Sequence, residues 1–147
     1  MTLAMAHTYR ATTEIEAPPQ AVWEVLADTA TWDRWSHFVP AAPGPLAVGE
    51  SFPIAFPMRG RIVTGQTRII RCEPNRELTW QGGVALLLKV THGFTIESID
   101  GGCRLIHSES FAGPLSPVLA LALGADQDAK YERVNLALKG LVERPAP

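Results

Sequence analysis

The chain has 147 residues, the size of one domain with a substantial core, and 46% hydrophobic and 19% charged residues are ordinary for a globular protein. A net charge of -2 gives no electrostatic reason to bind nucleic acid or an anionic membrane. The longest apolar runs, at residues 84–88 and 118–123, are far shorter than the roughly 20 residues that a bilayer-spanning helix needs. We therefore expect a single domain over residues 1–147, with no nucleic-acid partner and no membrane span.

The chain ends and the cysteines indicate a cytoplasmic protein. The first residues lack the basic segment and the apolar stretch of a signal peptide, and we expect residues 1–6 and 144–147 to be flexible tails. Cys72 and Cys103 lie far apart, which indicates reduced thiols rather than a metal site or a redox motif. The sequence contains no glycine-rich phosphate loop and no cluster with metal-ligand spacing, so it predicts no cofactor and no metal.

The N-terminal third predicts a strand followed by two short helices. Residues 8–16 alternate as a half-buried strand does, and the two prolines that follow end it. Apolar residues then recur at helical spacing over residues 22–26. A threonine cap predicts a second short helix that ends near Trp35.

The rest of the chain predicts antiparallel strands and one long helix. Strands separated by glycine- and proline-rich turns are expected at residues 50–56, 61–72, 77–81, 87–99 and 103–111. Ser116 and Pro117 predict a helix start, and the helix should run to about Glu143, with Gly124 loosening its first turns. This order predicts an α+β helix-grip fold: a curved antiparallel sheet of six or seven strands wrapped around a long C-terminal helix. Because a curved sheet cannot follow a straight helix along its whole length, we expect an apolar cavity of roughly 300–1,000 Å³ between them.

Segments along nearly the whole chain match a known family pattern. They are Ile15-Glu16-Ala17-Pro18, Val22-Trp23, Leu26-Ala27-Asp28, Trp35-Ser36, residues 72–80, residues 92–96, residues 101–105, His107 with Glu109, Phe111-Ala112-Gly113 and residues 135–139. With them the chain resembles the START-like superfamily, also called SRPBCC or Bet v 1-like, in its polyketide cyclase/dehydrase-like branch. The resemblance implies the helix-grip fold and leaves the activity open. The superfamily includes lipid and quinone carriers, polyketide binders, aromatase/cyclases, and co-chaperone domains resembling the activator of Hsp90.

The hairpin at residues 87–111 predicts which side chains face the cavity. Asp100-Gly101 is a strong two-residue turn signal, which makes Ile99 pair with Gly102. His92 then lies opposite Glu109, and both point inward, whereas a three-residue turn would reverse the inward face.

The inward polar residues are candidates for three roles. His92, His107 and Glu109 form a structural group, orient a ligand, or act as the acid–base groups of an enzyme. The orientation of Arg68 is left open, since a bulge would change its side. The residues expected to line the cavity are Trp35, Phe56, Trp80, Val90, His92, Phe94, Ile96, His107, Glu109, Phe111, Leu119, Tyr131 and Val134.

The sequence therefore predicts a protein that binds a small hydrophobic or aromatic molecule, lipid-, polyketide- or quinone-like, in an internal cavity. The sequence leaves open whether the protein is a monomer or a homodimer. One alternative is a cyclase/dehydratase-type enzyme that uses the inward histidine and glutamate residues. The other is a protein-interaction module resembling the Hsp90-activator domain, which would have a filled core. Whether the protein is an enzyme is open at this point.

Overall fold

A computed structural model describes residues 6–42 and 44–143. The tails expected at 1–6 and 144–147 lie outside the described residues, except that Ala6 begins the first strand. The helices are α1 (Pro19–Ala27), a 3-10 helix (Thr29–Arg34), α2 (Ser116–Leu123) and α3 (Gln127–Glu143). The strands are β1 (Ala6–Ile15), β2 (Val39–Pro40), β3 (Ile54–Met58), β4 (Arg61–Gly65), β5 (Thr67–Glu73), β6 (Glu77–Val84), β7 (Leu88–Ile99) and β8 (Gly102–Ala112).

The predicted fold class is confirmed. Five strands form one sheet in the order β1-β8-β7-β6-β5, and β2, β3 and β4 form a second, smaller sheet. The pairs within both sheets are antiparallel. Helix α3 packs along the larger sheet, where Tyr131, Val134 and Leu138 are buried and Asn135 donates a hydrogen bond to the carbonyl of Ala11 in β1. The two short helices follow the first strand, as expected.

Two segments differ from the prediction. Among the described residues, the larger sheet has five strands rather than the expected six or seven. The strand expected at 61–72 is divided at Gln66, and its first half, β4, pairs with β3 in the second sheet. The helix expected from Ser116 to Glu143 is two helices. Gly124 ends α2 with φ of 93°, a left-handed conformation that glycine adopts without strain. Gly124 therefore ends α2, whereas the sequence predicted that it would only loosen the first turns of one long helix.

The register of the β7–β8 hairpin agrees with the two-residue turn. Ile99 pairs with Gly102, Phe94 with His107, and His92 with Glu109. Inward positions of β8 are buried and outward positions are half-buried, which is the alternation of a sheet with one covered face. The turn therefore determines which polar side chains enter the protein interior.

An aromatic cluster fills one end of the space between the sheet and the helices. Trp32 has no exposed surface, and its indole N–H donates to the carbonyl of Leu26 at 2.9 Å. Its ring lies 5.0 Å from that of Trp35, 5.8 Å from Phe52 and 6.1 Å from Phe94, measured between centroids. Aromatic side chains therefore fill this end of the interior.

Two glycine-to-alanine substitutions should change stability in opposite directions. A Cβ atom at Gly102 would overlap the carbonyl oxygen of Ile15, so Gly102→Ala is expected to destabilise the fold by about 2 kcal/mol or more. A Cβ atom at Gly140 in α3 meets nothing within 4 Å, and alanine favours the helix, so Gly140→Ala should stabilise by about 0.5–1 kcal/mol. Urea unfolding of the two variants measures both effects, and equal midpoints would contradict the packing at Gly102.

Candidate functional site

A cavity of about 720 Å³ lies between the larger sheet, the β3–β4 hairpin and the helices α2 and α3. This volume is within the range expected from the sequence and typical of small-molecule sites. Most of its wall is apolar. The predicted residues that line it are Trp35, Phe56, Trp80, Val90, His92, Glu109, Phe111, Leu119, Tyr131 and Val134. The exposed Val63 and Val84 are also in the wall, so the cavity opens to solvent there.

Three residues predicted to line the cavity do not. Phe94, Ile96 and His107 are buried outside its wall. The ring of Phe38 stacks over Phe94 and lies 5.5 Å from that of His107, so aromatic side chains occupy the space that the sheet curvature was expected to leave. Strand alternation predicted the inward direction of these residues correctly, but it contains no information about which part of the inner face is covered.

Buried polar side chains form a connected chain beside the cavity. Nδ1 of His92 lies 3.0 Å from Oε2 of Glu109, which confirms the contact expected from the hairpin register. The hydroxyl of Tyr131 donates to Oε1 of Glu109, and the amide of Gln127 donates to that hydroxyl at 3.2 Å. Nε2 of His92 lies 2.6 Å from Nε2 of His107, so one of these two nitrogens donates and the other accepts. Five residues from two strands and one helix therefore share one hydrogen-bond network.

The inner end of this network is neutral near pH 7. Burial lowers the pKa of His107 well below 6.5, and the adjacent His92 lowers it further. The Asn135 side chain and the backbone of Tyr131 have the opposite, smaller effect and raise the pKa of His107. Nδ1 of His107 and Oδ1 of Asn135 have no hydrogen-bond partner among the described residues. The amide of Asn135 is held by donation to Ala11 at 3.1 Å and to Thr13 at 3.2 Å.

The outer end of the network faces the cavity. Burial raises the pKa of Tyr131 well above 10.0, and the charge of Glu109 raises it further, so the hydroxyl remains a donor at neutral pH. Each carboxylate oxygen of Glu109 accepts one hydrogen bond from the protein. A carboxylate offers about four lone-pair positions, so Glu109 can accept another hydrogen bond from a ligand. The arrangement is suited to hold a hydroxyl or amine group of an otherwise apolar molecule.

Several wall residues were not predicted from the sequence. Among them are His37, Phe38, Arg59, Gln127, Lys130 and Arg133. Helical spacing could have identified Gln127 and Lys130, since Gln127 lies four residues before Tyr131 and Lys130 lies four residues before Val134. The continuous helix expected from Ser116 gave no indication that α3 begins at Gln127. His37 is exposed and stacks on Tyr131 with 6.1 Å between ring centroids.

Other candidate groups lie outside the cavity. Arg68 is exposed and donates to the carbonyl of Gly49 at 2.7 Å, and the bulge of β5 follows it between Ile69 and Arg71. Cys72 and Cys103 are free thiols, and burial raises the pKa of each. Within residues 6–42 and 44–143, no group of three His, Cys, Asp or Glu side chains is placed to hold a metal ion. The described helices include none that is long and apolar enough to cross a membrane.

Comparisons with known proteins agree with this architecture. An uncharacterized protein from Mycobacterium tuberculosis is 29% identical to this chain over 122 residues. The aligned region covers 77% of this chain and 71% of that protein. The structure of the ZhuI aromatase/cyclase from a Streptomyces species matches with a TM-score of 0.68 and 18% identity, over 95% of both chains. Truncated norcoclaurine synthase from Thalictrum flavum matches with a TM-score of 0.69 and 13% identity, over 99% of both chains. At these identities the structural matches show the fold alone.

The family model described as polyketide cyclase / dehydrase and lipid transport matches residues 6–143. This match covers both sheets, all the helices and every residue of the cavity wall. It confirms the resemblance to the START-like, SRPBCC-type superfamily that the sequence segments indicated. The chain belongs to the polyketide cyclase / dehydrase and lipid transport family.

Proposed function

We propose that this protein binds a small hydrophobic or aromatic molecule in the cavity and orients it through one polar group. The observation that carries the proposal is a mostly apolar cavity of about 720 Å³ whose wall contains the buried residues Glu109, His92 and Tyr131. An apolar ligand gains free energy by leaving water for such walls. A hydroxyl on the ligand donates to Glu109, which has accepting capacity beyond its bonds to the protein.

Binding of a neutral fluorescent probe tests this function. N-phenylnaphthylamine brightens on entering an apolar site, and we expect a saturable rise with one molecule bound per chain. The double variant Val90→Trp with Leu119→Trp obstructs the cavity from β7 and α2 and should weaken binding by at least about tenfold. Val118→Trp is the matched control, because Val118 is exposed on the same helix and lies outside the wall. Equal loss in the control, or no binding by the wild type, would contradict the proposal.

The hydrogen-bond network favours a second candidate, an enzyme of the cyclase/dehydratase type. His92, Glu109 and Tyr131 lie within hydrogen-bond distance of one another and line the cavity, and side chains of these types can act as general acids and bases. Exchange of the α-protons of an aromatic β-hydroxy ketone for deuterium, followed by NMR, tests this candidate. Exchange that is accelerated by the wild type and lost in Glu109→Gln would favour the enzyme, and no acceleration favours the carrier.

The interaction-module alternative receives less support. Such a domain would fill its interior and use its outer face, whereas about 720 Å³ beside the helices is open here.

The two free thiols, Cys72 and Cys103, support the further proposal that the protein acts in the cytoplasm.

A further inference from the structure

Positive charge is concentrated on the cavity wall of a protein with a net charge of -2. The charged residues that line the cavity are Arg59, Lys130, Arg133 and Glu109. Glu109 is paired with His92 at 3.0 Å and forms no ion pair with an arginine or lysine among the described residues. Among the described residues, the wall therefore has three permanent positive charges, and its one carboxylate is bonded to His92 and Tyr131.

Arg59 occupies a position where its residue type is unfavourable. Met58 pairs with Arg61, so Arg59 and Gly60 form the two-residue turn of the β3–β4 hairpin. Both have positive φ, 51° for Arg59 and 80° for Gly60. Such a turn prefers Asn-Gly, and few residues other than glycine, asparagine and aspartate adopt positive φ. An arginine at this strained position, on the wall of a cavity, indicates that its side chain has a role there.

Helix α3 contributes Lys130 and Arg133 to the same cavity wall, and of these Arg133 is unpaired among the described residues. Arg59 and Arg133 are exposed, and neither forms an ion pair with another residue that the structure describes. Lys130 lies 3.5 Å from Asp126 and is half-buried. Desolvation lowers the pKa of His37 on the same wall, and the positive charges of Lys130 and Arg133 act in the same direction.

We propose that the ligand is an amphipathic anion, a molecule with an apolar body and a carboxylate that Arg59 and Arg133 bind at the cavity mouth. The apolar body occupies the interior beside Phe111 and Leu119, and the guanidinium groups take the carboxylate, for which their planar donors are well suited. This inference rests on the proposed function and adds the charge of the ligand to it. Exposed cations at the mouth also attract such a ligand before it enters.

Two competitors of equal chain length test the proposal. Decanoate and decanol differ in charge and share an apolar body, and each is titrated against protein carrying N-phenylnaphthylamine. We expect the wild type to bind decanoate at least about fivefold more tightly than decanol at low ionic strength, with the preference decreasing as salt is added. In Arg59→Asn with Arg133→Gln the two competitors should bind about equally. Because Asn-Gly suits the turn, Arg59→Asn alone should melt no lower than the wild type.

Arg61→Gln is the matched control, since Arg61 is exposed in the same hairpin and does not line the cavity. This variant should keep the preference for decanoate. Equal binding of decanoate and decanol by the wild type would overturn the inference while leaving the proposed function intact. A preference that persists in the double variant would also overturn it, because the charge would then be bound elsewhere. Failure of the neutral probe to bind would refute the proposed function itself, and this inference with it.

Discussion

Replacing Glu109 with alanine is expected to lower the free energy of unfolding by about 3–5 kcal/mol. The carboxylate accepts hydrogen bonds from His92 and Tyr131, and all three side chains are buried. Its removal leaves two buried donors without an acceptor, and the desolvation of each is then uncompensated. Chemical denaturation of the wild type and the variant measures the loss.

A matched substitution separates burial from charge. Glu97→Ala removes a glutamate from β7 whose partner, Arg104, is 3.2 Å away and partly exposed. This variant should lose no more than about 1 kcal/mol, because surface ion pairs contribute little.

The double variant His92→Leu with Glu109→Leu should cost less than the sum of its single variants, with a coupling of about 1–3 kcal/mol. Strictly additive losses would mean that the two side chains do not interact.

Acidification below pH 6.5 is expected to destabilise the protein through His107. Burial lowers the pKa of this imidazole well below 6.5, the value that it regains when the chain unfolds. Between those two pKa values the unfolded state binds a proton that the folded state does not, so stability falls as the pH falls. The contribution is about 1.4 kcal/mol per pH unit. The loss of stability therefore begins as the pH falls through 6.5, and it stops increasing once the pH is below the pKa of His107 in the folded protein.

His107→Gln isolates this contribution. Glutamine keeps a hydrogen-bonding group beside His92 and does not titrate, and the other titratable neighbours, His37, Glu109 and Tyr131, are unchanged. Unfolding free energies measured from pH 7.5 to 5 should therefore fall less steeply in the variant, by about 1.4 kcal/mol per unit where His107 titrates. Parallel curves for both proteins would contradict a buried neutral His107.

The parts of the fold that were predicted well are those that short-range sequence signals specify. The Asp100-Gly101 turn specifies the hairpin register, and strand alternation then gives the inward direction of His92 and Glu109. Prolines at the start of α1 and helical spacing within it located that helix. These signals act within a few residues, so one sequence is enough to interpret them.

Features that depend on distant packing were not predicted. The helix end at Gly124 was not predicted, because a glycine inside a helical pattern is compatible with either a loosened turn or a helix end. Contact between His92 and His107 depends on side-chain rotamers within one face of the sheet. Arg59 was missed because it adopts a turn conformation that its own propensity disfavours. Its departure from local preference is the same property that suggests a role in binding.

The most direct test of ligand binding in the cavity is an NMR titration of isotope-labelled protein with N-phenylnaphthylamine. We predict that the largest shift changes occur at wall residues, among them Trp80, Phe111 and Leu119, and that they saturate at one equivalent. The exposed apolar residues Leu86 and Leu121 lie outside the wall and should change little. Changes confined to those exposed residues, or no saturable change at the wall, would contradict the account.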